Sequence, residues 1–221
     1  NYAYNEKYLF ELTMRYDGSM NFASGKRWGV FPGLSVGWRL GEEDFIKNNF
    51  SFINDLKLRA SWGKLGNDLS TAKNWEDYQF QYLNTYTMDN GAILGENPIL
   101  YKGFYAGRIG NPTVTWEKVD TKNIALEGTL WNGLLGFNME YFHQVRKDIL
   151  AQRNASVPGY TGLTLPNENL GKVKNQGFEL SLSHLKHVGK DFNYNVGFNM
   201  TYTKNKIIYF DEAANVTEWQ K

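Results

Sequence analysis

Phe192-Asn193-Tyr194-Asn195-Val196-Gly197-Phe198-Asn199-Met200-Thr201-Tyr202-Thr203 alternates apolar and polar residues without a break. A period of two places Phe192, Tyr194, Val196, Phe198, Met200 and Tyr202 on one face of an extended strand, with Asn, Gly and Thr on the other. The same pattern recurs along the chain. Phe178, Leu180 and Leu182 oppose Glu179, Ser181 and Ser183, and Leu135, Phe137, Met139 and Tyr141 oppose Gly136, Asn138 and Glu140. Lys118 to Leu130 keeps Ile124, Leu126 and Leu130 on one side. Leu56, Leu58, Ala60 and Trp62 alternate with Lys57, Arg59, Ser61 and Gly63. Trp28, Val30, Leu34, Val36, Trp38 and Leu40 alternate with Gly29, Gly33, Ser35, Gly37 and Arg39, and Tyr8, Phe10, Leu12, Met14 and Tyr16 with Glu11, Thr13, Arg15 and Asp17. About seven long strands follow, and an all-β fold.

The connections differ in length. Trp131-Asn132-Gly133 and His187-Val188-Gly189-Lys190-Asp191 are short hairpin signals, and Asp44 to Asn54 is a third short connection with room for one helical turn. Gly18 to Arg27, Gly66 to Thr113 and Ala151 to Lys174 are longer. Short turns therefore gather at one end of the sheet and long loops at the other.

Composition excludes several function classes. The 221 residues hold no Cys, so disulfides, thiolate metal sites and cysteine nucleophiles are absent. A net charge of +1 offers no bulk electrostatic case for nucleic acid. Mean hydropathy is -0.52, and no window approaches the roughly 18 consecutive apolar residues of a spanning helix. The aromatic share is high, at 16%. His184 and His187 lie at a short turn with no carboxylate pattern around them, and Asp17-Gly18-Ser19-Met20-Asn21 begins like a calcium loop but carries Trp28 where a bidentate Glu belongs. No catalytic motif, metal site or cofactor is expected. The N-x-[ST] matches at Asn49, Asn154, Asn199 and Asn215 would matter only in a eukaryotic secreted protein.

A soluble sandwich also alternates, but its strands average five or six residues, whereas these run to about ten or more, the length that crosses a bilayer at a tilt. The polar faces are rich in Gly, Asn, Ser and Thr, as befits a wet lumen. Tyr8 and Tyr16 lie eight residues apart on one face, roughly 20 Å of height at a 40° tilt; Trp28 and Trp38 give roughly 26 Å. An apolar band about 25 Å tall between two aromatic girdles is the expected geometry of an outer-membrane barrel. About seven strands in an open sheet would leave edge N–H and C=O groups unpaired in hydrocarbon. The chain is therefore expected to be a piece of a larger barrel.

Tyr16-Asp17-Gly18-Ser19 with Phe22, Arg27-Trp28-Gly29, Phe31-Pro32, Gly37-Trp38-Arg39, Glu43 and Phe45 resemble the barrel of SusC/RagA-type TonB-dependent transporters. Leu56 to Gly63 with Gly66-Asn67, Asn111-Pro112, Thr115-Trp116-Glu117, Asp148-Ile149-Leu150, Asn169 with Gly171, and Asn175 with Gly177-Phe178-Glu179 continue the resemblance in order. Met20 and Trp62 depart from it. The resemblance implies an antiparallel transmembrane barrel of 22 strands, of which residues 1–221 supply about seven or eight, with short periplasmic turns and long extracellular loops. The plug domain and the TonB box would lie outside this chain. It further implies import of oligosaccharides or peptides across the outer membrane of a Gram-negative bacterium, energised through TonB, with a SusD-like surface lipoprotein as lid. A siderophore or cobalamin receptor is the alternative within such transporters. A soluble all-β carbohydrate-binding module is the alternative outside them.

Candidate functional residues fall into three groups. In the long loop, Trp75, Tyr101, Tyr105 and Arg108 are candidates for substrate or lid contact, whereas Tyr78, Phe80, Tyr82 and Tyr86 alternate and are expected to extend a strand above the membrane. Arg15, Arg39, Lys57, Arg59, Glu127, Glu140 and Glu179 are expected to face the lumen, where charges pair with one another or anchor the plug. Tyr8, Tyr16, Trp28, Trp38, Trp62, Trp116, Tyr194 and Tyr202 are expected in the aromatic girdles, against outer-membrane lipid.

Overall fold

The computed structural model describes residues 1–68, 79–88, 91–94, 99–152, 165–189 and 191–211. Its strands are β1 (Tyr2–Tyr4), β2 (Tyr8–Gly18), β3 (Trp28–Arg39), β4 (Ile53–Asn67), β5 (Tyr86–Met88), β6 (Ala92–Leu94), β7 (Ile99–Tyr101), β8 (Phe104–Ala106), β9 (Glu117–Leu130), β10 (Leu135–Gln152), β11 (Asn167–Val188) and β12 (Phe192–Tyr209). Between β3 and β4 lie a 3-10 turn, Leu40–Glu42, and the single helical turn α1 (Asp44–Asn49).

Eight strands form one antiparallel sheet in the order β1-β2-β3-β4-β9-β10-β11-β12. Every neighbour in that order is the next long strand in sequence, because β5 to β8 belong to the long loop. There they make two small ladders, β5 with β8 and β6 with β7. Such an up-and-down meander is how an antiparallel barrel is wound. Among the described residues the sheet is open: β12 pairs only with β11, and β2 is covered by β1 over Tyr8 to Phe10 alone.

The tight hairpin between β9 and β10 holds Trp131, Asn132 and Gly133 all at positive φ. Asn54 reaches across from the neighbouring turn, donating to Asn132 Oδ1 at 3.2 Å and accepting from Gly133 N at 3.3 Å. That side-chain brace lets Trp131 occupy a backbone region that costs a residue with a Cβ about 1 kcal/mol or more.

Two sequence expectations need correction. The connection read as Ala151 to Lys174 is shorter, because β11 starts at Asn167. Register shifts after Arg146 and at Ile149, with Asp148 at φ 60°, interrupt the two-residue period there, so the pairing continues where the alternation stops. Phe80 and Tyr82 do not extend a strand: Phe80 has φ 52° and its carbonyl accepts from Leu83 N at 2.9 Å, closing a turn. Tyr78 lies outside the described residues.

Candidate functional site

Both faces of the sheet follow from the register. On one, Leu12, Met14, Tyr16, Trp28, Val30, Phe198 and Tyr202 are exposed, Met14 at 74%. This apolar face runs across all the long strands and far exceeds the patch of a few hundred Å² that a soluble monomer tolerates. On the other face stand Glu11, Ser35, Lys57, Arg59 and Ser61, among the residues lining an open hollow of about 640 Å³.

Across that inner wall one row of partners runs Gly37, Arg59, Ala125, Glu140, Glu179 and Thr201. The Arg59 guanidinium is ion-paired with Glu140 and lies 3.6 Å from Glu127, which takes Lys57 Nζ at 2.8 Å. All four side chains are at most about a third exposed, so the network is partly desolvated and its members depend on one another. Glu179 stands next in the row, directly opposite Glu140. Arg15 and Arg39 do not join: Arg15 pairs with Asp17 on its own strand, and Arg39 turns to Glu42 at 3.3 Å and the Glu6 carbonyl at 3.4 Å at the short-turn rim. Thr121 Oγ1, Asn123 Oδ1 and Asn138 Oδ1 on the same wall are buried with no partner among the described residues.

At the long-loop end the inner side is closed by a collar. Phe22, Phe31, Val114, Trp116 and Leu150 form a buried cluster, with the Trp116 ring 5.4 Å from Phe22 and 5.2 Å from Phe31 between centroids. The ladder between β3 and β4 ends at Gly33 and Gly63, and beyond it the Phe31 ring lies where a Cβ on Gly29 or Gly66 would stand. Asn169 Nδ2 donates to the carbonyls of Thr115 (2.8 Å) and Asp148 (2.7 Å), and its Oδ1 accepts from Thr115 N at 2.9 Å. Buried Glu117 accepts from Leu150 N at 3.1 Å and Asn67 Nδ2 at 3.2 Å. The motif residues read from the sequence are thus stitches between loop bases and strand ends. Trp116 is the correction this imposes: it was expected in a girdle, but it is buried at 6% exposure in the collar, because β9 begins only at Glu117.

The other expected girdle residues lie on the apolar face in two tiers. Toward the short turns Tyr8 stacks on Trp38 at 6.2 Å, and Tyr194 meets His184 at 3.1 Å. Toward the long loops stand Tyr16, stacked on Trp28 at 4.8 Å, then Trp62 and Tyr202. The row of Tyr8 runs through Trp38, Leu58, Leu126, Met139 and Leu180 to Met200, six residues from Tyr194. The row of Tyr202 runs back to Phe10, six residues from Tyr16. Six residues over six strand steps is a stagger of one residue per strand at both tiers, as tilted barrel strands require if each tier is level.

Glu43, in the connection after β3, ties the lower tier together. It accepts from Trp38 Nε1 at 3.0 Å, Lys7 Nζ at 3.1 Å and Tyr8 OH at 3.2 Å. The Trp38 indole N–H, then the Lys7 ammonium, hold its carboxyl below the ordinary range. Glu42 is lowered likewise, first by its bond from Lys47 at 2.6 Å.

Of the long-loop candidates, Tyr101 in β7 and Tyr105 in β8 are exposed at 55% and 57%, on the two small ladders, Tyr101 opposite Ala92 and Tyr105 opposite Thr87. Arg108 is part of the loop's own framework: its N–H donates to Thr85 Oγ1 at 2.8 Å and its guanidinium to the Gln79 carbonyl at 3.3 Å. Trp75 lies outside the described residues.

Known proteins resemble this arrangement. Residues 1–220 match the family model described as TonB dependent receptor-like, beta-barrel. The TonB-dependent receptor SusC of Bacteroides thetaiotaomicron is 32% identical over 208 residues, 94% of this chain and 20% of that protein. A TonB-dependent receptor of Formosa agariphila is also 32% identical, over 212 residues, again 94% and 20%. The RagAB peptide importer in its open-open state superposes with a TM-score of 0.75 at 25% identity, covering 95% of this chain and 21% of that one. The siderophore receptor PirA from Pseudomonas aeruginosa shares the fold alone, at TM-score 0.52 and 17% identity, over 92% and 32% of the two chains. This chain spans about a fifth of the length of the first relatives.

Proposed function

The chain belongs to the TonB-dependent receptor-like β-barrel family, and on that premise we propose that it is part of the barrel wall of a transporter importing bulky nutrients, oligosaccharides or peptides. The barrel is an outer-membrane one. In this reading the apolar face meets lipid, the paired charges line the passage, and the long-loop end opens outward beneath a SusD-like surface lipoprotein. Energy enters through TonB, by way of a plug carried elsewhere in the full-length protein.

The observation that carries the reading is the contrast across one sheet: an exposed apolar face backed by a polar wall whose Lys57, Arg59, Glu127 and Glu140 neutralise one another. Such a wall lets a hydrated solute pass without a strong fixed field of one sign. Tyr101 and Tyr105, exposed at the outer end, are proposed to touch the lid or the substrate. The likeness to the RagAB peptide importer, beside the identity to SusC over nearly the whole chain, supports nutrient import over siderophore uptake, for which the likeness is one of fold only.

Uptake by cells expressing the full-length protein tests this. Accumulation of a labelled oligosaccharide or peptide mixture is expected to need both the protein and TonB, and to fall severalfold when Tyr101 and Tyr105 are replaced by Ala. Uptake indifferent to TonB, or growth rescue confined to iron limitation, would overturn it.

A further inference from the structure

We propose that the wall is split at its outer end between β3 and β4, and that the two feet of the long loop latch the split closed, so that displacing the base of that loop lets the wall part there. β3 and β4 each have both neighbours within this chain, so the interruption lies inside the sheet and not at its edge. The ladder between them runs from Arg39 opposite Lys57 to Gly33 opposite Gly63 and goes no further. Yet both strands continue. β3 stays paired with β2 as far as Trp28 opposite Gly18, and β4 with β9 as far as Asn67 opposite Glu117. Two hydrogen-bonded ladders therefore stand side by side with no ladder between them among the described residues, from just beyond Trp62 of the outer aromatic tier. Pro32, which has no N–H, is the first residue of β3 past the last pair.

Side chains bridge the gap, and they come from the long loop. Asp68 is the first residue after β4 and Trp116 the last before β9, so they are the two feet of the connection that carries Tyr101 and Tyr105. Asp68 Oδ2 accepts from Ser19 Oγ at 2.7 Å and from Asn21 Nδ2 at 3.4 Å. Trp116 donates to the Arg27 carbonyl at 3.0 Å and packs its ring against Phe22 and Phe31. Ser19, Asn21, Phe22 and Arg27 all belong to the connection between β2 and β3, across the split from both feet. The Phe31 ring spans the rest, reaching from its own strand to the space a Cβ on Gly66 would fill. A boundary held by a few side chains opens at lower free energy than one held by a continuous backbone ladder. Below Gly33 and Gly63 the ladder keeps the wall shut; above them the position of the loop's base decides. A contact that pulls on the long loop, such as the one proposed for Tyr101 and Tyr105, is thereby converted into parting of the wall. The latch itself rests on no assumption about the transported solute.

The test is a pair of spin-label distance distributions in the full-length protein, in lipid nanodiscs and on a cysteine-free background. Labels replacing Val30 and Tyr202 report parting, because Val30 lies on β3 beyond the end of the ladder. Labels replacing Val36 and Tyr202 are the control, since those two positions share one unbroken row through Ala60, Ile124, Tyr141 and Phe178. Trp116→Ala and, separately, Asp68→Ala are expected to raise the longer-distance population of the first pair by about fivefold or more, the factor one lost hydrogen bond supplies, and to leave the second pair unchanged. Asp68→Asn keeps a carbonyl oxygen for Ser19 and Asn21 and is expected to stay near wild type. Asp68 lies outside the buried cluster, so its variants decide the matter even where Trp116→Ala fails to fold. A Val30 to Tyr202 distribution unmoved by Asp68→Ala, or a control pair that broadens equally, would overturn the proposal.

Discussion

Trp116 donates its indole N–H to the backbone carbonyl of Arg27 at 3.0 Å, joining segments 89 positions apart. That bond anchors the base of the longest loop to the strand end that begins β3, and the ring it orients fills the cluster of Phe22, Phe31, Val114 and Leu150. Trp116→Ala removes both the bond and the largest side chain of the cluster. A loss of about 3–5 kcal/mol is expected, read as a lowered unfolding midpoint of the full-length barrel in detergent. Trp116→Phe keeps much of the ring and is expected to cost about half as much.

Gly66 and Gly63 lie on the same strand and respond differently to a methyl group. A Cβ at Gly66 would stand inside the Phe31 ring, whereas the nearest atom to one at Gly63 is the Pro32 carbonyl oxygen at 4.0 Å. Gly66→Ala is expected to destabilise by roughly 1–3 kcal/mol through overpacking, and Gly63→Ala by well under that. Equal unfolding midpoints for the two variants would contradict the placement of Phe31.

Lys57 and Glu127 meet on the inner wall at 2.8 Å, with Arg59 shared between Glu127 and Glu140. A double-mutant cycle of Arg59→Ala and Glu140→Ala is expected to give a coupling of about 1 kcal/mol, because the pair is partly shielded from solvent. Removing Arg59 alone leaves two carboxylates close together and is expected to cost more than removing Glu140 alone. An additive cycle would mean the network contributes nothing as a unit.

Acid should loosen the lower tier through Glu43. Its carboxyl is held below the ordinary value of 4.5 by the Trp38 indole N–H and then by Lys7. A folded value below the unfolded one means that the stabilisation is complete above the unfolded value and is lost as pH falls through the folded one. Between about pH 6 and pH 3 the wild-type protein is expected to lose stability more steeply than Glu43→Gln, the two curves converging at the acid end. Parallel curves would remove Glu43 from that role.

The fold was legible because a barrel strand writes its two environments into alternate residues. Phe192 to Thr203 carries the signal unbroken, and β12 forms there as read. The reading weakened wherever parity was interrupted. The left-handed Asp148 and the bulge beside Ile149 hid the first part of β11, and the turn at Phe80 disguised itself as alternation. Trp116 illustrates a second limit: a tryptophan before a strand looks the same whether it faces lipid or a buried collar, and only Phe22 and Phe31, far off in sequence, decide it. That Arg59, Glu140 and Glu179 share the polar face follows from parity, but that they form one row depends on register, which alternation alone does not fix.

The two-faced wall is most directly tested by spin labels placed singly from Phe198 to Thr203 in the full-length protein, in lipid. Relaxation by lipid-dissolved oxygen is compared with relaxation by a water-soluble nickel chelate. Oxygen accessibility is expected to peak at Phe198, Met200 and Tyr202 and to dip at Asn199, Thr201 and Thr203, with a period of two. A flat profile, or one with the nickel chelate favouring Phe198, Met200 and Tyr202, would contradict a lipid-facing apolar side.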